Sequence, residues 1–191
     1  AREIVMIAVA IILPIVMIIS GSSNSLLTAF YGHNFDVAAP ALSFLSLSNF
    51  FMGMTVVFNM ILAPLHKGRF SDVLSFVTLC TVIPLFIFSA KHGGITEIAF
   101  ASMISTFLTM IASFAMLSRY TGRLCDMRIV FALVLNVVLW IVIRVFALIV
   151  GIDALMPLIA FYFTAYVIFV LILYVLHIFR PFEIESVLQR K

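Results

Sequence analysis

The chain has 191 residues, of which 65% are hydrophobic and 10% charged, against roughly 45–50% apolar and 25% charged in an ordinary soluble domain. With a mean hydropathy of +1.30 held along nearly the whole length, a water-soluble globule is excluded and an all-α, multi-pass membrane protein is expected. The net charge of +3 comes from basic residues between the apolar runs, a pattern of membrane orientation and not of nucleic-acid binding.

Apolar stretches long enough to cross a bilayer with about 20 residues each are predicted at about 4–20, 37–63, 70–89, 95–117, 129–150 and 154–179. The first and third have short apolar cores and borrow flanking residues. Leu26 to Phe30, after a Ser-Gly-Ser-Ser-Asn-Ser break, reads as a further short interfacial helix. Helix ends carry ordinary signals: Asp36 with Pro40 opens the second span, Gly93-Gly94 precede the fourth, and Gly151 closes the fifth before Asp153 starts the sixth. Arg2 followed by an apolar run and small residues also resembles a signal peptide, a reading that five further spans outweigh. The chain begins with Ala1 and not Met, so it is expected to be a piece of a longer protein.

Orientation follows from Lys and Arg in the connections. Arg2, Lys67, Arg69, Arg119, Arg123, Arg128, Arg180, Arg190 and Lys191 fall on one side of a six-span topology, and only Lys91 on the other. Such a bias places both termini in the cytoplasm and the chain in the plasma membrane. Cys80 lies inside an apolar run and Cys125 in a polar connection, so no disulfide is expected. The cysteines and four histidines are too scattered for a metal site. No phosphate-binding loop, His-Glu-x-x-His pair or Ser-His-Asp set is present, so neither catalytic residues nor a cofactor is expected and the chain does not read as an enzyme.

Arg144 is the sharpest single feature, a lone charge in Leu-Trp-Ile-Val-Ile-Arg-Val-Phe past the middle of the fifth span. Its insertion costs about 2.5–3.5 kcal/mol, which the surrounding apolar residues offset. Two roles stay open: facing a wet interior to meet an anionic headgroup, or snorkelling to outer-leaflet phosphates. On the second span Asn49, Gly53 and Ser46 share one face that is expected to avoid lipid, with Asn59 displaced around the helix. Asn136 adds an amide two turns before Arg144. These amides suit bonds to a neighbouring helix or contacts to substrate. Ser102, Ser105, Thr109, Ala112 and Met116 form a stripe at spacings of three and four, read as a surface for close helix packing with a ligand-lining role as the alternative. Glu97, in the first turn of the fourth span, reads as a helix-end carboxylate, with proton coupling or pairing to Arg144 as the alternative. Pro14, Pro84 and Pro157 permit bends, and the many Phe and Met residues read as lipid-facing or packing groups.

Three segments carry a family resemblance. Leu26-Leu27-Thr28-Ala29-Phe30-Tyr31-Gly32 followed by Ala38-Ala39-Pro40-Ala41-Leu42 resembles the leucine-rich turn, aromatic-Gly and Ala-Ala-Pro-x-Leu segment of polysaccharide biosynthesis proteins. Those belong to the multidrug, oligosaccharidyl-lipid and polysaccharide flippase superfamily. Gly93-Gly94-Ile95 through Ser105 is similar to the family's Gly-Ile-x-Gly-Ala-Ala-x-Ala-Thr helix start, with Thr96-Glu97-Ile98 in place of Gly-Ala. Ala63 to Arg69 stands where the family has Ala-x-Gly-Arg, lengthened and altered.

The resemblance implies a six-helix C-terminal portion of a flippase with twelve to fourteen helices, related by pseudo-symmetry to an absent N-terminal bundle. It implies alternating access that moves a lipid-linked oligosaccharide or polysaccharide precursor, with membrane lipids, that substrate and the missing bundle as partners. Arg144, Asn49, Asn59, Asn136 and Glu97 are the candidates for cavity walls, on chemical grounds alone. A drug or cation exporter of the same superfamily would be favoured by a membrane carboxylate. A membrane-embedded polyprenyl-phosphate enzyme would need clustered acids or histidines, and an accessory subunit complete in itself is the remaining alternative.

Overall fold

The computed structural model describes residues 2–63, 68–121, 127–150 and 155–176, and its regular structure is helical throughout. Helix α1 is α-helical over Arg2–Ile7, π-helical over Ala8–Ile12 and α-helical again over Leu13–Gly21. Helix α2 covers Ser23–Tyr31, and a 3-10 turn, His33–Ala38, leads into α3, Ala39–Leu62. Helices α4, α5, α6 and α7 cover Gly68–His92, Ile95–Thr121, Met127–Val150 and Leu155–Val175.

Among the described residues five segments are long and apolar enough to cross a membrane: Glu3–Gly21, Asn34–Leu62, Ile95–Tyr120, Met127–Ile149 and Leu155–Val175. The sequence predicts six. The difference is α4, in which the apolar run among the described residues is Thr78–Lys91; most of the residues before Thr78 lie outside that description. The ends of the predicted spans at 154 and 177–179 lie outside the described residues, as do Cys125, Asp126, Gly151 and Asp153. Where the sequence suggests a connection of loop and short helix between the first two spans, the chain folds as α2 and a tight turn. Gly32 takes the positive φ of 81° that reverses the chain, and Thr28 Oγ1 donates to Asp36 Oδ1 at 2.9 Å across it. Pro40 then sits in the first turn of α3, where no backbone N–H is needed.

In lipid there is no water to expel between helices, so association depends on close packing and interhelical hydrogen bonds. Helix α1 occupies the middle. It packs on α3, α6 and α7, while α3 lies along α5 and α5 along α4. Accordingly half of the α1 span is buried, against 17% for α7. The core joins Val5, Val9 and Leu13 of α1 to Phe50, Phe58 and Leu62 of α3, Leu117 of α5, Ala132 of α6 and Phe169 of α7. Gly21 sets the approach of α1 to α6: a Cβ there would lie 3.0 Å from Ile143 Cγ2 and 3.3 Å from the Trp140 carbonyl oxygen.

The α3–α5 contact has a strict register. Phe44, Phe51 and Phe58 face Phe100, Phe107 and Phe114, with ring centroids 5.2, 5.1 and 5.9 Å apart. The seven-residue interval keeps one seam of each helix against the other. Both series ascend together, so α3 and α5 run parallel. Aromatic pairs of this kind are worth about 0.5–1.5 kcal/mol beyond area burial. We therefore expect a Phe51→Leu/Phe107→Leu double-mutant cycle, followed by denaturant unfolding in mixed micelles, to give a coupling of about 0.5–1.5 kcal/mol; additive single effects would show the rings to be independent.

Candidate functional site

A cleft of about 450 Å³ opens between α3, α4 and α5. Its apolar wall includes Met52 and Val56 of α3 and Leu79, Val82 and Phe86 of α4. The lining also includes polar but uncharged residues, Thr55 and Asn59 from α3, Thr78 from α4, and Ser102, Ser105, Thr106 and Thr109 from α5. The helical repeat explains the convergence, since Thr55 and Asn59 are one turn apart on α3 and the α5 hydroxyls recur at spacings of three and four.

Hydroxyls on helices donate readily to the carbonyl one turn back. Thr55 Oγ1 donates to the Phe51 carbonyl at 2.9 Å and Ser105 Oγ to that of Ala101 at 2.8 Å. Thr106 Oγ1 donates to the Ser102 carbonyl at 3.0 Å and Thr109 Oγ1 to that of Ser105 at 2.9 Å. Cross-helix bonds close the rim: Ser48 Oγ lies 3.0 Å from Ser102 Oγ and 3.2 Å from Thr106 Oγ1, and Thr78 Oγ1 lies 3.1 Å from Thr109 Oγ1. The Oδ1 of Asn59 is buried and has no hydrogen-bond partner. Ser102 and Thr109 of the α5 stripe thus bond neighbouring helices and also line the cleft.

Of the five candidate cavity residues, only Asn59 lines this cleft. Asn49 is exposed on the adjoining face of α3, where a Cβ on Gly53 would meet nothing within 4 Å and Met60 is 70% exposed. Ser46 on that face donates to the Leu42 carbonyl at 2.8 Å. Nothing among the described residues covers it.

Glu97 lies outside the cleft at the start of α5. Its Oε2 accepts from the Gly94 backbone N–H at 2.7 Å, the reach-back half of a capping box. A Cβ on Gly93 would fall 2.5 Å from Glu97 Cβ and Cγ, so glycine makes room for the cap. Arg144 is exposed on α6. It is absent from the lining of the second hollow, an apolar groove of about 310 Å³ between α6 and α7, and it forms no ion pair among the described residues.

Asn136 is fully buried between α6 and α1, where it answers a defect in the backbone. In the π-helical segment the Leu13 N–H bonds to Ala8 O, leaving Val9 O to the next residue in that register. That residue is Pro14, which has no N–H. Asn136 Nδ2 supplies the donor, at 3.2 Å from Val9 O and 2.9 Å from Ala132 O.

Two polar groupings were not assembled from the sequence. Ser48, Thr55 and Asn59 stand at i, i+7 and i+11 on α3, a spacing that places Asn59 with these hydroxyls and apart from Asn49. The Ser20 to Ser25 break is a hydrogen-bonded knot. Ser43 Oγ donates to Ser20 O at 2.7 Å, and Ser20 Oγ donates to Ser43 O at 3.3 Å. Ser23 Oγ lies 2.7 Å from Ser43 Oγ, Trp140 Nε1 donates to Ser20 Oγ at 3.3 Å, and Ser22 Oγ lies 2.6 Å from the Tyr162 hydroxyl. One knot thus joins α1, α2, α3, α6 and α7. Cys80 is a free, exposed thiol, and no group of three His, Cys, Asp or Glu comes together among the described residues.

For the Asn136 bond we expect Asn136→Leu to lower stability by about 1 kcal/mol, and by clearly less in a Pro14→Ala background, where the restored N–H lets α1 satisfy its own carbonyls. Unfolding of the four proteins of this cycle in mixed micelles measures it; an undiminished cost would detach the amide from the proline. Compared with known protein families, curated proteins and solved structures, the chain matches none.

Proposed function

We propose that the chain is the C-terminal portion of a transporter that flips a lipid-linked oligosaccharide or polysaccharide precursor across the cytoplasmic membrane by alternating access. The observation that carries this reading is the cleft. Sugars and a pyrophosphate cannot enter hydrocarbon unsolvated, and polar side chains within a membrane bundle face its interior or a wet path. A hollow with seven hydroxyl- or amide-bearing side chains among greasy helices supplies such a path. The uncovered α3 face with Asn49 is the surface that an N-terminal bundle would close.

Topology supports the same reading. Helices α3 and α5 run parallel, so a chain that crosses the bilayer in both must recross between them, and α4 is the helix available. Its 25 residues rise about 37 Å at 1.5 Å each, enough for a bilayer core of about 30 Å. Six crossings follow, with both termini of this segment on one side, which the Lys and Arg distribution makes cytoplasmic. Arg144, outside the cleft, is assigned to the phosphate groups of the lipid carrier. The exporter alternative calls for a carboxylate deep within a span, whereas Glu3, Asp36 and Glu97 stand at the ends of theirs and Glu97 caps α5.

Reconstitution of the protein with its full coding sequence into liposomes holding a fluorescent lipid-linked oligosaccharide tests the proposal. Protein-dependent movement between leaflets, read with a membrane-impermeant oxidant of the sugar, is expected, and its absence would overturn the function. Arg144→Ala should lower the rate by roughly tenfold, the loss of one charge-assisted bond, with expression unchanged. An unaltered rate would remove Arg144 from the path.

A further inference from the structure

We infer that α3 and α5 hold a buried water molecule between them, bridging Asn59 Oδ1 and Ser113 Oγ. The site is independent of the transport reading. Three side-chain polar atoms among the described residues are buried without a hydrogen-bond partner: Asn59 Oδ1, Ser113 Oγ and Asn136 Oδ1. Asn136 belongs to α6. The other two lie on the two helices of the aromatic seam, and the register of that seam brings them to one place. Ser48 Oγ of α3 bonds Ser102 Oγ of α5 at 3.0 Å. Asn59 follows Ser48, and Ser113 follows Ser102, by the same eleven positions, about three turns at 3.6 residues per turn. On two parallel helices Asn59 and Ser113 therefore face each other as the serines do.

The seam is wider at this level. Ring centroids are 5.2 and 5.1 Å apart at Phe44–Phe100 and Phe51–Phe107, and 5.9 Å apart at Phe58–Phe114, which fits two polar groups that face each other without bonding directly. Their chemistry is complementary across a bridge. Ser105, Thr106 and Thr109 of the same helix donate to backbone carbonyls, whereas the Ser113 hydroxyl has no partner and keeps its proton available. Asn59 Oδ1 can only accept. A water accepts from the first and donates to the second. Unbonded polar atoms in a dry seam are costly, and internal waters settle at such groups. Phe58 and Leu117, 2% and 0% exposed, close the site against lipid. An ion does not fit: α3 carries no charged residue, and α5 only Glu97 and Arg119 near its two ends, so nothing at this level balances a charge. The site is entered from the cleft, whose lining includes Asn59.

X-ray radiolytic footprinting of the full-length protein in lipid nanodiscs tests the site, because hydroxyl radicals formed from a held water oxidise the side chains beside it. Oxidation of Phe58 is expected, and none at Phe169, which is as deeply buried at 3% exposure but lies away from any such pair. The Asn59→Leu/Ser113→Ala double variant should lose the Phe58 signal. Unfolding in mixed micelles is the second readout. Each single variant should lower the folding equilibrium constant roughly fivefold, the worth of one hydrogen bond, because it orphans the other group. The double variant should cost less than the two singles together, since it removes both. Phe58 left unoxidised, or oxidised equally in the double variant, would overturn the inference. Coupled stability effects without Phe58 oxidation would show a direct Asn59–Ser113 bond in place of the water, and single variants as stable as the unaltered protein would show that the two groups share no partner.

Discussion

Hydrocarbon offers no hydrogen bonds, so a backbone group left over within a buried span is costly unless a partner is found within the protein. The middle of α1 shows what the constraint does. Pro14 removes a donor, the π-helical turn shifts the neighbouring bonds by one residue, and Val9 O is left over. The answer comes from another helix, as Asn136 of α6. The most buried span is thereby tied to a partner by the same feature that interrupts it. The serine knot at the other end of α1 follows the same logic, since the break at Ser22 exposes backbone and hydroxyls that α3, α6 and α7 then satisfy.

The α3–α5 pair shows how packing and polarity share one surface. Three phenylalanine pairs fix the register, and between them Ser48 meets Ser102 and Thr106. Farther around both helices the hydroxyls turn toward α4, where Thr109 meets Thr78 at the rim of the cleft. Small polar residues thus let two helices approach closely and, one helical step away, leave a hollow. The groove between α6 and α7 is the opposite case. Its walls are almost wholly apolar, and Phe146 stacks on Phe161 at a centroid distance of 4.6 Å.

Much of the helical plan was legible because apolar length and terminal residues are local signals. Pro40, Gly93 and Gly94 mark helix starts that the fold retains, and Glu97 caps α5 from the position its place in the first turn suggests. Other features depended on which helices become neighbours. The seven-residue series of Phe44, Phe51 and Phe58, and of Phe100, Phe107 and Phe114, was present in the sequence, but each reads as ordinary packing until the two are set side by side. Asn59 reads from the sequence as displaced from the Asn49 face, but only the neighbouring helices show that the displacement carries it to Thr55 and the cleft. Pro14 signalled a bend, but nothing near it named Asn136, 122 positions later, as the group that completes it. Arg144 stood out by charge alone, and charge does not say which way a helix is rotated.

The aromatic seam carries a mechanical implication. With three ring pairs and the Ser48 bonds holding one alignment, a slide of α3 along α5 by a single turn would break all of them together, so these two helices behave as a stiff plank. Helix α4 leans mainly on α5, scarcely touches α3 and carries Pro84 within its length. The width of the hollow is accordingly set by where α4 stands against a fixed pair, as a door hung on one jamb sets its own opening.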